Sequence, residues 1–288
     1  MRARVAGLTL RIPTVLAGRH AFVHAATDVS LALEPGRVHA LVGESGSGKS
    51  VLASTLTGML PSGTVVDGLV EVDGRDVTAS LTRPRDRVWG GLRGRVVGVV
   101  PQSPATSFTP TRTIGRQVSE TVRALGGRLD AEGLASAARL PAWALEAYPH
   151  ELSGGLAARA ALAAALAGQP SILVADEPTA SLDPALSGQV LGLLRAQADA
   201  GVAVLLITHD VASLLDGGWA DDVSVMYAGR LVEQGPAAAV WDMPEHPYTR
   251  ALLEALPRNG LHAVPGDPPS LTDLDDTVRF EDRLGVVV

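Results

Sequence analysis

The chain is predicted to fold as an α/β protein around a mostly parallel sheet. Three observations carry this expectation. Short apolar runs rich in Val, Ile and Leu recur along the chain, stretches with helical spacing separate them, and turn residues mark the boundaries. "RVHALVG" (37–43) is the first such run, a buried strand ending on glycine. "KSVLASTLTGML" follows with helical spacing and stops near Pro61. "GLVEVDG" (68–74) alternates as a hairpin strand does, and "GRVVGVV" (94–100) is another buried strand, closed by Pro101. From Thr113 to about Leu140 the pattern is helical with Gly and Pro breaks, and an Ala-rich helix is expected from Gly155 to Ala167. "SILVAD" (171–176) and "VAVLLITHD" (202–210) read as strands. A helix ending on Gly201 joins them, and "DDVSVMYAGRLVEQG" reads as two strands around a Gly turn. The strandless stretch 104–170 is expected to be a helical insert, and the Pro-, Gly- and Asp-rich tail after about 262 to be irregular.

Composition narrows the function. The 288 residues are 46% hydrophobic and 19% charged, which suits a globular chain rather than a disordered one. A net charge of −7 argues against a broad nucleic-acid footprint, so no nucleic-acid partner is expected. The arginines between Arg83 and Arg95 read as a solvated loop. With no cysteine there is no disulfide, no thiol nucleophile and no Cys-ligated zinc or iron–sulfur cluster. "MRARVAGLTLRIPTVLAG" carries arginines through its apolar part and makes a poor signal peptide. The most apolar run, 156–168, holds Arg159 and is too short to cross a bilayer, so a membrane role would come from docking onto a membrane partner.

"GESGSGKS" (43–50) fits G-x-x-x-x-G-K-[ST] and sits between a predicted strand and helix, as that motif requires. Gly43, Gly46 and Gly48 let the backbone turn so that successive N–H groups, including those of Glu44, Ser45, Ser47 and Val51, converge on a phosphate chain. Lys49 would reach the β- and γ-phosphates, and the Ser50 hydroxyl would ligate Mg²⁺. "SILVADEP" then delivers Asp176 to the C-terminal edge of the sheet, where ligands of open α/β sheets bind. Asp176 is a candidate Mg²⁺ partner, and Glu177 a candidate general base for the attacking water. His209 ends the "ITHD" strand at the same predicted edge and suits a γ-phosphate sensor. Gln102, just past "VVGVV", is placed to touch Mg²⁺ or the water.

In this order the residues resemble the ABC transporter ATPases. "GESGSGKS" is similar to their Walker A, Gln102 to the Q-loop, "LSGG" (152–155) to the signature, "ILVADE" to Walker B, "SLD" (181–183) to the D-loop and His209 to the switch histidine. The resemblance implies a P-loop NTPase fold with an antiparallel β subdomain and a helical subdomain, using ATP and Mg²⁺. It implies an ATPase domain over 1–262, with 104–170 as its helical subdomain, and a tail over 263–288. "IGRQVSE", "YPHELSGG" and "HPYTRALLEALP" (246–257) are similar to the ATPases of oligopeptide, dipeptide and nickel importers. That resemblance implies two permeases, a second and different ATPase chain, an extracytoplasmic solute-binding protein, and a place on the cytoplasmic face of the cell membrane.

Ser153, Gly154 and Gly155 open the Ala-rich helix with a hydroxyl and free amides, a second anion site besides 43–50. Under the resemblance these residues and Asp183 would complete the nucleotide site of the neighbouring chain. Four features depart from the family pattern. Leu156, Ala157 and Ala158 follow the signature where Met or Gln and then an Arg-Gln pair are common, and Pro101 precedes Gln102 where Phe is common. No single aromatic is marked out to stack on adenine, with Ile12, His20 and Phe22 all near the expected place. Val278 and Leu284 stand where relatives carry cysteines. Two other readings use the same motifs: an ABC ATPase working away from membranes, and a regulatory subunit with a weak site. A single P-loop, no sustained heptads and net negative charge count against the first; Lys49, Asp176, Glu177 and His209 count against the second.

Overall fold

A computed structural model describes residues 1–180, 182–275 and 278–284. Ser181 of the "SLD" string, Asp276, Thr277, the side chain of Leu284 and the end of the tail (285–288) lie outside the described residues. Along the chain, strands β1 (Ala3–Leu16) and β2 (Arg19–Leu33) precede β3 (Val38–Val42) and helix α1 (Lys49–Ser54). Then come β4 (Val65–Val72), β5 (Arg75–Asp76), α2 (Arg87–Leu92) and β6 (Val97–Val100). Four helices follow: α3 (Pro104–Ser107), α4 (Ile114–Leu125), α5 (Ala131–Ala137) and α6 (Gly154–Ala165). The core resumes with β7 (Ile172–Asp176), α7 (Pro184–Asp199), β8 (Ala203–Thr208) and α8 (Val211–Gly217). It closes with β9 (Asp222–Tyr227), β10 (Arg230–Pro236), α9 (Ala237–Asp242) and α10 (Pro247–Glu254).

The strands form two sheets. The larger has the order β10-β9-β3-β8-β7-β6, parallel except for the β9–β10 hairpin, and the smaller is antiparallel in the order β2-β1-β4-β5. Alternate residues of the large sheet serve two cores. Leu41, Ile172, Val174, Leu205 and Ile207 face the small sheet and α1. Ala40, Val42, Leu173, Ala175, Val204 and Leu206 face the helical layer. A strand covered on both faces is apolar at nearly every position, which is why β3, β7 and β8 read as apolar runs, broken in β3 by His39, whose buried ring is satisfied by the Ser224 hydroxyl.

No strand lies between Val100 and Ile172, as expected for a helical insert. The Ala-rich helix starts one residue earlier than expected, at Gly154, because Ser153 caps it. Its Ala158, Ala160, Ala161 and Ala163 are buried, so small side chains let it pack closely under the sheet. The helix after the glycine-rich loop is shorter than its pattern suggested. Thr55 and Thr57 turn their hydroxyls back onto the carbonyls of Leu52 and Ser54, and a 3₁₀ turn replaces the last α-turn.

The sequence reading gave no strands to the first 33 residues, yet β1 and β2 are the longest in the chain. Their alternation is broken. Buried positions run Ala3, Val5, then Leu8, Leu10, a change of parity at a bulge where the register shifts between Val5 and Leu8. The tail, read as irregular, is tied to β2. Val23 bridges Thr272, the His24 amide donates to Leu271 at 2.8 Å, and the Asp273 amide donates to Phe22 at 2.8 Å.

His39 on β3 is buried, with Nε2 2.7 Å from the Ser224 hydroxyl. Burial pushes its imidazole down to about 4 from 6.5. A folded value below the unfolded one means the neutral ring stabilises above about pH 6.5, and that contribution is lost as pH falls toward 4. Urea unfolding at pH 7 and pH 4.5 is therefore expected to show the native chain losing roughly 2–3 kcal/mol more than His39→Gln.

Candidate functional site

The register of the large sheet fixes the site. Val42 pairs with Thr208, Ile207 with Asp176, and Ala175 with Val100. The C-terminal ends of β3, β8, β7 and β6 therefore meet at one edge. Lys49, Asp176, Glu177, His209 and Gln102 follow those ends.

The loop 43–48 leaves β3 and enters α1 with no room for side chains at two points. A Cβ on Gly43 would stand 2.1 Å from the Met226 carbonyl oxygen, and one on Gly48 2.1 Å from that of Ala25. Gly48 also sits at φ 109°, where an L-residue is strained. Beyond it, the first amides of α1 (Lys49–Ser54) have no intrahelical acceptor and are free to bind an anion. Lys49 is only 4% exposed. Its ammonium donates to the carbonyls of Gly43 and Glu44, both at 2.8 Å, and to the Ser47 hydroxyl at 3.4 Å. Burial lowers its pKa, and Glu177, Asp176 and Glu44 pull it back up. The cation is thus held in the loop by neutral oxygens that phosphate can replace.

Opposite the loop, the Ser50 hydroxyl donates to Asp176 at 3.1 Å. Burial raises the Asp176 pKa; the Ser50 hydrogen bond and Lys49 oppose this, and Glu177 adds to it. Glu177 is 7% exposed and adopts φ 48°. Its amide donates to the Ile207 carbonyl at 2.9 Å, which fixes the backbone turn to β8. Its carboxylate meets Nδ1 of His209, while the rest of that imidazole is solvent-exposed. Sequence reasoning placed Glu177 and His209 at one edge; the direct contact between them is new. Gln102 is exposed just past the end of β6 and lines a groove of about 440 Å³ with Gly154, Ala157, Pro178 and Leu182. It faces the signature and is not hydrogen-bonded to Ser50 or Asp176.

Ser153 caps α6 by accepting from the Leu156 amide at 3.4 Å. Asp183 caps α7 by accepting from the Leu186 amide at 3.0 Å. A Cβ on Gly154 would stand 2.9 Å from Leu182, and Gly155 lies against Leu186, so the signature packs on the start of α7. Ser153, Gly154 and Asp183 are exposed.

Two further residues touch the loop, and position in the sequence gave no hint of it. The "HPY" of 246–248 builds the start of α10: His246 caps it, Pro247 takes the first position, and the Tyr248 hydroxyl accepts from the Glu44 amide at 2.9 Å. Arg283 in the tail donates to the Glu44 carboxylate at 2.7 Å. The string is plain in the sequence, but its reach to the glycine-rich loop depends on the fold.

A glycine-rich strand-to-helix loop facing a carboxylate two strands away defines a P-loop nucleotide hydrolase. This chain belongs to the ABC transporter family, whose description matches residues 26–180. Residues 232–284 match the oligopeptide/dipeptide transporter C-terminal region. The oligopeptide transport ATP-binding protein AmiE of Streptococcus pneumoniae is 41% identical, covering 85% of this chain and 72% of that protein. A protein of Escherichia coli named "Probable D,D-dipeptide transport ATP-binding protein DdpD" is 40% identical, covering 91% and 83%. Among solved structures, cbiO1 from Clostridium perfringens, part of an ABC transporter complex, superposes with a TM-score of 0.68 at 24% identity, covering 89% of this chain and 96% of that one. A dimeric ATP-binding cassette, MJ0796, bound to ADP and Pi superposes with a TM-score of 0.65 at 23% identity, covering 81% and 98%. No helix among the described residues is long and apolar enough to cross a membrane.

Gly48→Ala adds a Cβ against the Ala25 backbone in a strained conformation. It is expected to abolish ATP binding and to cost on the order of 1–3 kcal/mol of stability, as read by nucleotide titration and thermal unfolding.

Proposed function

We propose that this chain is the ATP-hydrolysing subunit of an importer for peptides or similar small solutes, working beneath partner permeases on the cytoplasmic face of the membrane. The observation that carries this reading is the meeting of the 43–50 loop, Asp176, Glu177 and His209 at one sheet edge, in a chain whose 232–284 stretch matches the peptide-transporter C-terminal region. Residues 1–262 are the ATPase domain in this reading, and 263–288 its tail.

ATP phosphates would settle on the amides of residues 43–51. Lys49 would exchange the carbonyls of Gly43 and Glu44 for phosphate oxygens. Ser50 and Asp176 offer a hydroxyl and a carboxylate, hard oxygens that suit Mg²⁺ with water completing its shell. Gln102, which lies in the groove beside the signature, would add its amide oxygen only by turning toward them. The metal ion would neutralise charge on the transferring phosphoryl group. Glu177 would accept a proton from the attacking water. His209, now against Glu177, would turn its imidazole to the γ-phosphate and hold the carboxylate in line.

Exposure of Ser153, Gly154 and Asp183 supports a shared site. These groups would cover the nucleotide of a second ATPase chain, whose own signature covers the nucleotide held here. A groove of about 360 Å³ between the helical insert and the core, lined by Met59, Val99, Pro101, Phe108 and Ala164, would receive a permease helix. Met59 and Val99 are exposed there. A solute-binding protein on the outer side would deliver the solute. Of the altered residues after the signature, Ala157 and Ala158 are buried within α6, so only the partly buried Leu156 would bear on the partner's nucleotide.

In the assembled transporter, Glu177→Gln is expected to keep ATP bound but to slow turnover at this site by roughly 10²–10⁴-fold. Single-turnover hydrolysis with labelled ATP reads this; unchanged turnover would remove Glu177 from the role of base.

A further inference from the structure

Glu44 is the second residue of the phosphate-binding loop, so the fold places a carboxylate beside a site that must receive a polyanion. Its amide is held by the Tyr248 hydroxyl at 2.9 Å. Its carboxylate is held by Arg283, through Nη1 at 2.7 Å and Nη2 at 3.4 Å. Nη2 of Arg283 also donates to the Gly266 carbonyl at 2.7 Å. The arginine side chain is 7% exposed. Its guanidinium stacks over Tyr227 and Phe280, 5.7 and 5.5 Å from the ring centroids. Phe280 is itself buried against Tyr227 and Tyr248 at centroid distances of 5.6 and 5.3 Å. The tail therefore reaches across 239 positions of sequence to bring one cation to one carboxylate of the cradle.

The charge arithmetic gives this contact a role beyond bracing. An unpaired carboxylate at the loop would repel the triphosphate, and the partly buried setting screens that repulsion less than water does. We propose that Arg283 is a positioning residue for ATP: it neutralises Glu44 and fixes it away from the phosphates, so the C-terminal tail sets the nucleotide affinity of the site. The proposal rests on the reading of 43–50 as the ATP site.

The two single substitutions should act in opposite directions. In the full-length chain within its transporter, Arg283→Gln leaves Glu44 charged and unpaired, and KM for ATP rises about tenfold while kcat stays within about twofold. Glu44→Gln leaves the Arg283 cation, still bonded to the Gly266 carbonyl, without its carboxylate beside the loop, and KM falls. The double variant returns KM to within about twofold of the native value. Arg283→Lys keeps the charge and stays closer to native than Arg283→Gln. Added salt shrinks the Arg283→Gln defect because it screens the repulsion. A merely mechanical brace predicts that all the glutamine variants weaken binding and that the double is no better than Arg283→Gln; that result would overturn the proposal. If Arg283→Gln does not fold, the double variant decides: native KM supports the proposal and a raised KM overturns it. Lys49→Ala in the same assay separates the two readings. If it leaves ATP binding intact, the assignment of the site is wrong; if it abolishes binding while Arg283→Gln has no effect on KM, only the role of Arg283 is wrong.

Discussion

Parallel pairing in one register sets the chemistry of this protein. Val42 lies beside Thr208, Ile207 beside Asp176, and Ala175 beside Val100, so four strands end together. A slip of one residue in β7 would turn Asp176 toward a core and break its 3.1 Å contact with Ser50. The register is held by two hydrophobic layers, each taking alternate residues from the same strands. Because both faces are buried, a slip would exchange side chains between the two cores, so packing shape and the polar residues at the strand ends fix the register. The charged groups cluster where the strands stop, because only there does the backbone leave the dry interior.

Within that edge, electrostatics balance around few groups. Lys49 is buried, and three carboxylates, Glu177, Asp176 and Glu44, favour its charge. Each carboxylate has its own partner: His209 for Glu177, Ser50 for Asp176, Arg283 for Glu44. Phosphate binding would draw Lys49 off its loop carbonyls and draw Ser50 and Asp176 toward a shared cation. The glycine positions keep the loop backbone fixed while side-chain partners exchange. Ser153, Gly154 and Asp183 are exposed, and the signature packs against the start of α7, which gives these groups a rigid support.

Much of this was legible in the sequence, for identifiable reasons. Strands β3, β7 and β8 are buried on both faces and read as apolar runs, and the loop 43–50 sits between a strand and a helix as its chemistry requires. Lys49, Asp176, Glu177 and His209 were placed correctly at one edge because parallel strands share a polarity. The first two strands were missed because a bulge shifts the parity of their buried residues, which hides a period of two. For the tail, the sequence offers a composition and a resemblance to the subfamily tail that lacks its cysteines. Composition reports that a segment has no regular pattern and says nothing of where it packs, so the Arg283–Glu44 pair and the burial of Phe280 could not be foreseen. The "HPY" string was visible, yet the job of its tyrosine depends on the Glu44 amide lying 2.9 Å away in space and 204 positions away in sequence.

The central claim is that one sheet edge of this chain grips ATP and that a neighbouring ATPase chain closes over it. An electron cryomicroscopy structure of the assembled transporter carrying Glu177→Gln, with Mg²⁺ and ATP, tests it most directly. Lys49 is expected to have moved from the Gly43 and Glu44 carbonyls onto the β- and γ-phosphates. The second chain's signature is expected against the γ-phosphate, and this chain's Ser153 and Gly154 against the partner's nucleotide. ATP bound with Lys49 still on its loop carbonyls, or with Ser153 and Gly154 facing solvent in the closed state, would contradict it.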